Sequence, residues 1–299
     1  MLARLQQFIV AALLTLTIAA IAIGAKTGAP WVGPAFVMLV VVGYGLVLGI
    51  EFACLRASYA EGDDVRPRWR ELVHAWVLEA MAAPRVFLWR QPFRSRSEPD
   101  HVPRQAHGRR GVLLVHGFFC NRGLWNGWLR QLRRHDVPCV AVSLEPVFGS
   151  IDDYRVTIAD AMSRLQQATG LAPVIVAHSM GGLAARGWLA SDAAAEWHRV
   201  VTIASPHAGT RLGAYGRGAN IAQMRLGSDW LAQLTARESA QDRMRITCFW
   251  SHCDNIVFPT RSATLAGADN RHLPMTPHVQ MVEHPAVFEE VLRIVKTAD

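Results

Sequence analysis

A short apolar strand that turns at once into a helix is the feature that most restricts the fold of this chain. Residues 174–176 read Val-Ile-Val, and Ala-His-Ser-Met-Gly-Gly follows at 177–182. A continuous apolar run is typical of a strand that helices cover on both faces. The small residues Ala177 and Gly181 lie two positions either side of Ser179, as a tight strand-to-helix turn requires. The pattern predicts an α/β fold with a nucleophilic serine at the turn, and an ordinary strand-turn-helix junction is the alternative.

Further strands and helices alternate along residues 109–299. Val112-Leu113-Leu114-Val115 is a second continuous apolar run, and apolar residues recur at helical spacing around 124–132 and 158–165. We therefore predict an α/β domain of about six mainly parallel strands with helices on both faces. The strands are expected near residues 112–116, 139–143, 174–178, 200–204, 246–250 and 270–274.

A carboxylate that could serve Ser179 follows a later strand. A serine hydroxyl needs an imidazole to accept its proton, and a carboxylate to orient that imidazole. Asp254 comes just after the strand-like run 245–250, which places it on a loop at the carboxyl end of a strand. Asp242 and Asp269 do not follow a strand end directly. Asp254 is therefore the predicted acid, with a turn-forming or helix-capping aspartate as the alternative.

The chain contains 12 histidines, and position along the chain separates the candidate base from the others. His278 lies in the loop between the last predicted strand and a helix that begins near Pro285. His272 falls within that strand, and His284 adjoins the proline at the helix start. His278 is therefore the predicted base. The predicted catalytic residues, in chain order, are Ser179, Asp254 and His278.

Taken together, these motifs resemble the α/β-hydrolase superfamily, and within it the small bacterial lipases and esterases. The resemblance covers about residues 109–299 and rests on Val-His-Gly-Phe at 115–118, the hexapeptide at 177–182, Ala-Ser-Pro-His-Ala-Gly-Thr at 204–210, Asp254 and His278. It implies the α/β-hydrolase fold and a serine carboxylic-ester hydrolase that needs no metal or organic cofactor. It also implies that the backbone N–H groups of Phe118 and Met180 form an oxyanion hole. Ala177 departs from the glycine of the common motif, but several lipases share this alanine.

A hydrophobic ester or lipid is the substrate that the resemblance and the apolar N-terminus imply together. A lysophospholipase, a thioesterase and an acyltransferase are alternatives on the same fold, and a non-catalytic membrane scaffold or transport component is an alternative outside enzymes. Residues 206–242 form the longest excursion between predicted strands. They are expected either to cap the site as a lid or to form a rigid surface excursion.

Two apolar segments precede the predicted enzyme. Residues 5–25 carry no charge, and residues 31–52 are apolar until Glu51, so each is long enough to cross a bilayer core of about 30 Å. The short connector 26–30 would force them into a hairpin; a cleaved signal peptide at 1–25 is the alternative. The predicted organisation is a transmembrane hairpin at 1–56, an amphipathic juxtamembrane helix and linker at 57–108, and a catalytic domain at 109–299.

The segment after the hairpin has helical spacing of its own. Apolar residues recur over 68–82, and Pro84 is expected to end this amphipathic helix. Its tryptophans and neighbouring arginines suit a lipid surface, and packing on the hydrolase domain is the alternative. Residues 94–108 are rich in polar residues and are predicted to be a linker.

The charged residues indicate which partners the chain could bind and how it would be oriented in a membrane. The net charge is +7, but all except two of the 31 cationic residues are arginines, without a nucleic-acid-binding motif, so a nucleic-acid partner is not expected. Arg56, Arg66, Arg68 and Arg70 follow the second apolar segment, against Lys26 alone in the connector. This bias predicts that both chain ends and the catalytic domain face the cytoplasm. With the resemblance to bacterial lipases, the expected location is a bacterial inner membrane. A periplasmic domain is the alternative, and it would allow a Cys248–Cys253 disulfide.

Overall fold

A six-stranded parallel sheet forms the centre of the structure, a computed structural model that describes residues 1–60, 63–191 and 196–297. The strand order is β2-β1-β3-β4-β5-β6, and every pair of neighbours is parallel. The α/β prediction is therefore confirmed, and the edge strand β6 ends two residues before its predicted end. The strands are β1 (Val112–Val115), β2 (Cys139–Ala141), β3 (Val174–His178), β4 (Arg199–Ile203), β5 (Ile246–Trp250) and β6 (Asp269–His272).

Helices cover both faces of this sheet, which explains why β1 and residues 174–177 of β3 are continuously apolar. Val112 and Leu114 of β1 contribute to one hydrophobic core, whereas Leu113 and Val115 contribute to the other. The first core includes α5 and α11, and the second includes α6, α7 and α9. The helices of this domain are α5 (Asn126–Arg134), α6 (Arg155–Thr169), α7 (Met180–Leu189), α8 (Ala219–Gln223), α9 (Asp229–Arg237), α10 (Ala240–Arg243) and α11 (Pro285–Lys296).

Two long apolar helices, α1 (Leu2–Lys26) and α2 (Val32–Ala57), form an N-terminal hairpin. Both are long and apolar enough to cross a membrane. Of the most apolar 18 residues, only 6% are buried in α1 and 11% in α2, so neither is a core helix. The two helices approach closely where a Cβ on Gly33 would lie 3.2 Å from Cα of Ile21. Their ends near the α/β domain are the start of α1 and the end of α2.

The helix predicted to be juxtamembrane, α3 (Trp69–Pro84), is followed by further helix, because the chain stays helical beyond Pro84. A π-helical turn (Arg85–Arg90) and the short α4 (Gln91–Phe93) continue it. A proline breaks the regular α-helical pattern because it has no N–H, and here the pattern changes to a π-turn at this point. One face of α3 is buried, as the alternative of packing on the enzyme predicts. Its outer face leaves apolar residues exposed, namely Trp69, Val73, Val77 and Met81.

Residues 94–108, predicted to be a linker, are attached to the edge of the sheet. The N–H of His101 donates to the carbonyl of Cys139 at 2.9 Å, and the N–H of Cys139 donates back at 2.7 Å. Asp100 also binds Arg122 at 2.7 Å. The segment thus covers β2, whose unpaired backbone groups would otherwise form an open sheet edge.

Candidate active site

Ser179 lies at the turn between β3 and α7 in a strained backbone conformation. Its φ is 55° and its ψ is −128°, a region that residues other than glycine seldom adopt. A hydrogen bond from its N–H to the carbonyl of Ile203, at 2.8 Å, holds the turn against β4. A Cβ on Gly181 would lie 2.6 Å from the carbonyl oxygens of both Val115 and His116. The turn can therefore approach the end of β1 only because residue 181 has no side chain.

We expect Gly181→Ala to damage the turn while Gly187→Ala, in the same helix, does not. The added methyl of Gly181→Ala meets backbone oxygens that cannot move aside, and overpacking of this kind costs about 1–3 kcal/mol. At Gly187 the nearest atom, on Trp230, is 3.7 Å from an added Cβ, an ordinary contact. Thermal unfolding of both purified variants checks this prediction, and equal midpoints for the two would contradict it.

His278 and Asp254 are hydrogen-bonded at the same edge of the sheet. Nδ1 of His278 lies 2.9 Å and 3.1 Å from the two carboxylate oxygens of Asp254. Asp254 is fully buried, and its Oδ1 also accepts the N–H groups of Ile256 and Val257, both at 2.9 Å. Burial alone would lower the pKa of His278, but the Asp254 carboxylate raises it above its ordinary value. With Nδ1–H directed to Asp254, Nε2 is the nitrogen left to accept a proton.

Ser179 lies beside the Asp254–His278 pair, because the residue before it contacts His278. Its neighbour His178 packs against His278 with ring centroids 4.7 Å apart, and Nε2 of His178 lies 3.3 Å from the carbonyl oxygen of His278. Ser179 is 7% exposed, and its hydroxyl makes no hydrogen bond within the described part of the chain. A nucleophile and its base are often farther apart without substrate than during reaction. The structure therefore contains the hydrogen bond between Asp254 and His278, whereas the hydroxyl of Ser179 is not hydrogen-bonded to His278.

The loop after β1 contacts Ser179 from the other side. A Cβ on Gly117 would lie 2.7 Å from Cβ of Ser179, and residue 118 follows directly. The N–H groups of Phe118 and Met180 have no hydrogen-bond acceptor among the residues described. Met180 begins α7, where the first N–H groups of a helix are normally unpaired. Two donors beside the serine are thus free to bind a negatively charged oxygen.

His116 fixes the conformation of this loop. Its Nδ1 lies 2.8 Å from the carbonyl oxygen of Gly117, and its Nε2 accepts the N–H of Leu144 at 2.9 Å. Burial lowers the pKa of His116 to about 4, so the ring is neutral at physiological pH and can make both contacts. The residue next to the candidate oxyanion hole therefore has a structural role.

The excursion at 206–242 is attached to the domain through a buried ion pair. Arg186 of α7 is fully buried, and its Nε and Nη2 lie 2.5 Å and 2.8 Å from the carboxylate of Glu238. Its Nη1 donates to Nδ1 of His207 at 3.2 Å. Near the middle of the excursion, Asn220 donates to the carbonyl of Val147 at 2.8 Å. These contacts favour the rigid excursion over a mobile lid.

Aromatic side chains lie at the junction of the excursion and the loop after β1. The ring centroids of Phe118 and Phe148 are 5.8 Å apart, and Phe119 lies 6.5 Å from Phe148. Phe148 is 45% exposed and follows Val147, the residue bound by Asn220. This cluster gives the surroundings of the candidate oxyanion hole an apolar character.

Two further histidines near the sheet contact each other, and two cysteines of the same region are buried. Nδ1 of His252 and Nε2 of His272 are 2.8 Å apart. Cys248 and Cys253 are both buried free thiols, so the disulfide considered for a periplasmic domain is not formed. Within residues 1–60, 63–191 and 196–297, no three or more His, Cys, Asp or Glu side chains are grouped so that they could hold a metal ion.

Comparison with known proteins agrees with this geometry. The model of a family described as "Alpha/beta hydrolase family" matches residues 112–291. The chain belongs to the alpha/beta hydrolase family. The resemblance inferred from the motifs is therefore confirmed, and so is the pair of apolar helices that precedes the domain.

Solved structures with the same fold include two lipases. The mature form of a Bacillus licheniformis lipase superposes with a TM-score of 0.57 at 16% identity, covering 67% of this chain and 96% of that one. Aspergillus fumigatus lipase B superposes with a TM-score of 0.55 at 19% identity, covering 65% of this chain and 55% of the fungal one. No match was found among curated proteins. At these identities the likeness shows a shared fold.

Three polar residues near the site are not predicted by the motifs. Glu79 of α3 and Glu51 of α2 both bind loops of the hydrolase domain, and Asn255 follows the predicted acid. A signal for the two glutamates is present in the sequence. Glu79 lies on the apolar face of an amphipathic helix, and Glu51 interrupts an otherwise apolar span. What the sequence cannot supply is the partner, because Val279 is 200 residues from Glu79.

Proposed function

We propose that this protein is a membrane-anchored serine hydrolase that cleaves carboxylic esters, of the lipid or other hydrophobic class, through an acyl-enzyme. The observation that carries this proposal is the hydrogen bond between Asp254 and His278 at the sheet edge where Ser179 lies on a strained turn. Membership of the α/β-hydrolase family supports the same chemistry.

The proposed mechanism has two steps. Ser179 attacks the ester carbonyl while Nε2 of His278 accepts its proton, and Asp254 stabilises the imidazolium that forms. The carbonyl oxygen becomes negatively charged and binds the free N–H groups of Phe118 and Met180. His278 then gives its proton to the leaving alcohol. Water, activated by His278, attacks the acyl-enzyme and releases the acid.

A hydrophobic ester or lipid is the substrate class that the surroundings favour. The aromatic cluster of Phe118, Phe119 and Phe148 offers apolar contact area beside the oxyanion donors. The test is a chain-length series of esters, thioesters, phospholipids and lysophospholipids on the detergent-solubilised protein. Increasing kcat/KM with acyl length would support the proposal. A preference for thioesters, for lysophospholipids or for transfer to an alcohol would instead favour a thioesterase, a lysophospholipase or an acyltransferase.

The N-terminal helices support anchoring in a bilayer. Large apolar side chains such as Leu14, Ile18 and Leu39 are more than half exposed along α1 and α2. Burying such side chains in lipid removes them from water at a gain of about 1.5–3 kcal/mol each. Helix α3 also exposes apolar side chains, and at its start the guanidinium of Arg56 stacks over Trp69 at 4.7 Å. A tryptophan with an arginine is a usual pair at the level of lipid headgroups.

We expect the protein to stay in the membrane fraction after extraction with alkaline carbonate and to be released by detergent. Two added cysteines would report its orientation, Thr27→Cys in the connector and Ser163→Cys on the surface of α6. If both chain ends are cytoplasmic, a membrane-impermeant maleimide should label Thr27→Cys in intact spheroplasts and Ser163→Cys only after lysis. The opposite pattern would place the hydrolase domain in the periplasm, and release by carbonate would contradict anchoring itself.

A further inference from the structure

We propose that Glu79 is a positioning residue of the hydrolase site, because its carboxylate binds the backbone of the loop that carries His278. This inference rests on the proposed function. The N–H of Val279 lies 3.1 Å and 3.2 Å from the two carboxylate oxygens of Glu79. Val279 is the residue directly after His278, so the contact fixes the chain at the predicted base. The juxtamembrane helix thereby contributes to the geometry of the site.

Burial makes this contact unusual for a glutamate. Glu79 is 2% exposed and lies on the packed face of α3 with Leu72, Ala75 and Ala82. A carboxylate in such a place is costly unless it is hydrogen-bonded or paired with a positive charge. Burial raises the pKa of Glu79 to about 7, whereas a charged His278 and the N–H groups of the loop favour its ionised form. A buried carboxylate of this kind is better explained by its contacts with the loop than by packing.

A second carboxylate reaches the same loops from the hairpin. Oε2 of Glu51 accepts the side-chain amide of Asn255 at 2.7 Å, and Oδ1 of Asn255 accepts the N–H of His278 at 3.3 Å. Asn255 directly follows Asp254. Both the acid loop and the base loop are therefore connected to helices that precede the hydrolase domain.

The charge of Glu79 also acts on the predicted base. His278 and Asp254 face it from the two loops, and the hydroxyl of Tyr44 on α2 lies 3.5 Å from its backbone carbonyl oxygen. The negative charges of Asp254 and Glu79 both favour the imidazolium form of His278. Because His278 must be neutral to accept a proton from Ser179, activity should rise with pH through its pKa. Removing the charge of Glu79 should lower that pKa and move the acidic limb of the pH profile to lower pH.

The experiment compares Glu79→Gln, Glu79→Ala and the control Glu289→Gln in the full-length, detergent-solubilised protein. Glutamine keeps an acceptor oxygen and removes the charge, alanine removes both, and Glu289 is an exposed carboxylate on α11. The values of kcat and KM for one ester are measured against pH and expressed per active site titrated with a fluorophosphonate. We expect Glu79→Ala to lower kcat by about 10- to 100-fold with little change in KM, since small misplacements of a catalytic group have effects of this size.

Glu79→Gln should retain more of kcat than Glu79→Ala and should shift the acidic limb to lower pH, and Glu289→Gln should match the wild type. The proposal is overturned if both Glu79 variants keep the wild-type kcat and pH profile per active site, even where fewer molecules titrate, because a purely structural role predicts that result.

Ser179→Ala tests the proposed function separately. If Ser179→Ala is still labelled by the fluorophosphonate, the proposed function is refuted. If Ser179→Ala loses its labelling but both Glu79 variants behave like the wild type, only the positioning role of Glu79 is refuted.

Discussion

Ser179→Ala is expected to lower kcat for a carboxylic ester by about 10⁴- to 10⁶-fold, the range found when a hydrolase loses its nucleophile. Labelling by a fluorophosphonate should disappear with it. The reason is that, in the proposed mechanism, the hydroxyl on the strained turn forms the acyl-enzyme, and the free N–H groups beside it cannot replace that bond. Steady-state kinetics and a gel-based labelling assay measure both effects.

The matched control for this variant is Ser163→Ala. Ser163 is an exposed serine on α6 whose hydroxyl accepts a hydrogen bond from Gln167 at 3.0 Å, at the surface. Its loss should leave kcat and labelling at the wild-type level. Full esterase activity in Ser179→Ala would show that another group is the nucleophile. A wild-type protein that neither reacts with the probe nor cleaves any ester would favour the non-catalytic scaffold.

Glu238→Ala is expected to destabilise the hydrolase domain by about 3–5 kcal/mol, because it leaves a buried charge on Arg186 without its partner. The side chain of Arg186 is fully buried and that of Glu238 is 5% exposed, so water cannot replace the lost carboxylate. For a domain of this size the thermal midpoint should fall by roughly 6–20 °C. Differential scanning fluorimetry of the detergent-solubilised protein measures this change.

Two further variants show whether the burial of the charge is the cause. Arg130 binds Glu98 at 3.0 Å but is 50% exposed, so Arg130→Ala should cost less than about 1 kcal/mol. The double variant Arg186→Met with Glu238→Leu removes both charges and should recover most of the lost stability. A thermal midpoint for Glu238→Ala within 2–3 °C of the wild type, about 1 kcal/mol or less, would contradict a large contribution from this pair.

The strands of the hydrolase domain could be predicted because their sequence signal is local. Val112–Val115 and Val174–Val176 are apolar at every position, and they are covered on both faces in the structure. The positions of Ser179, Asp254 and His278 follow from the same reasoning, since the carboxyl ends of parallel strands meet at one edge. The structure brings these residues to that edge, and their catalytic roles stay a prediction.

Other features could not be predicted because they depend on distant partners or on packing. Pro84 was expected to end a helix, but a π-turn carries the helix on to Phe93. The polar composition of residues 94–108 gave no sign that His101 pairs with Cys139 of the edge strand. The contact of Glu79 with Val279 links segments that the order of the chain keeps far apart. In each case the missing information was a tertiary contact.

The hairpin contacts the rest of the protein at both of its ends, through α4 and through the loop that follows β5. Nε2 of Gln6 near the start of α1 lies 3.0 Å from Oε1 of the buried Gln91, and Phe52 and Leu55 near the end of α2 pack with Cys253 and Phe258 of the loop that follows β5. A domain fastened in this way cannot swing on its anchor as one on a flexible tether would. In a bilayer Ser179 would be held at a constant height. If the proposed function is correct, its search for substrate would become two-dimensional diffusion among molecules that present an ester at that depth.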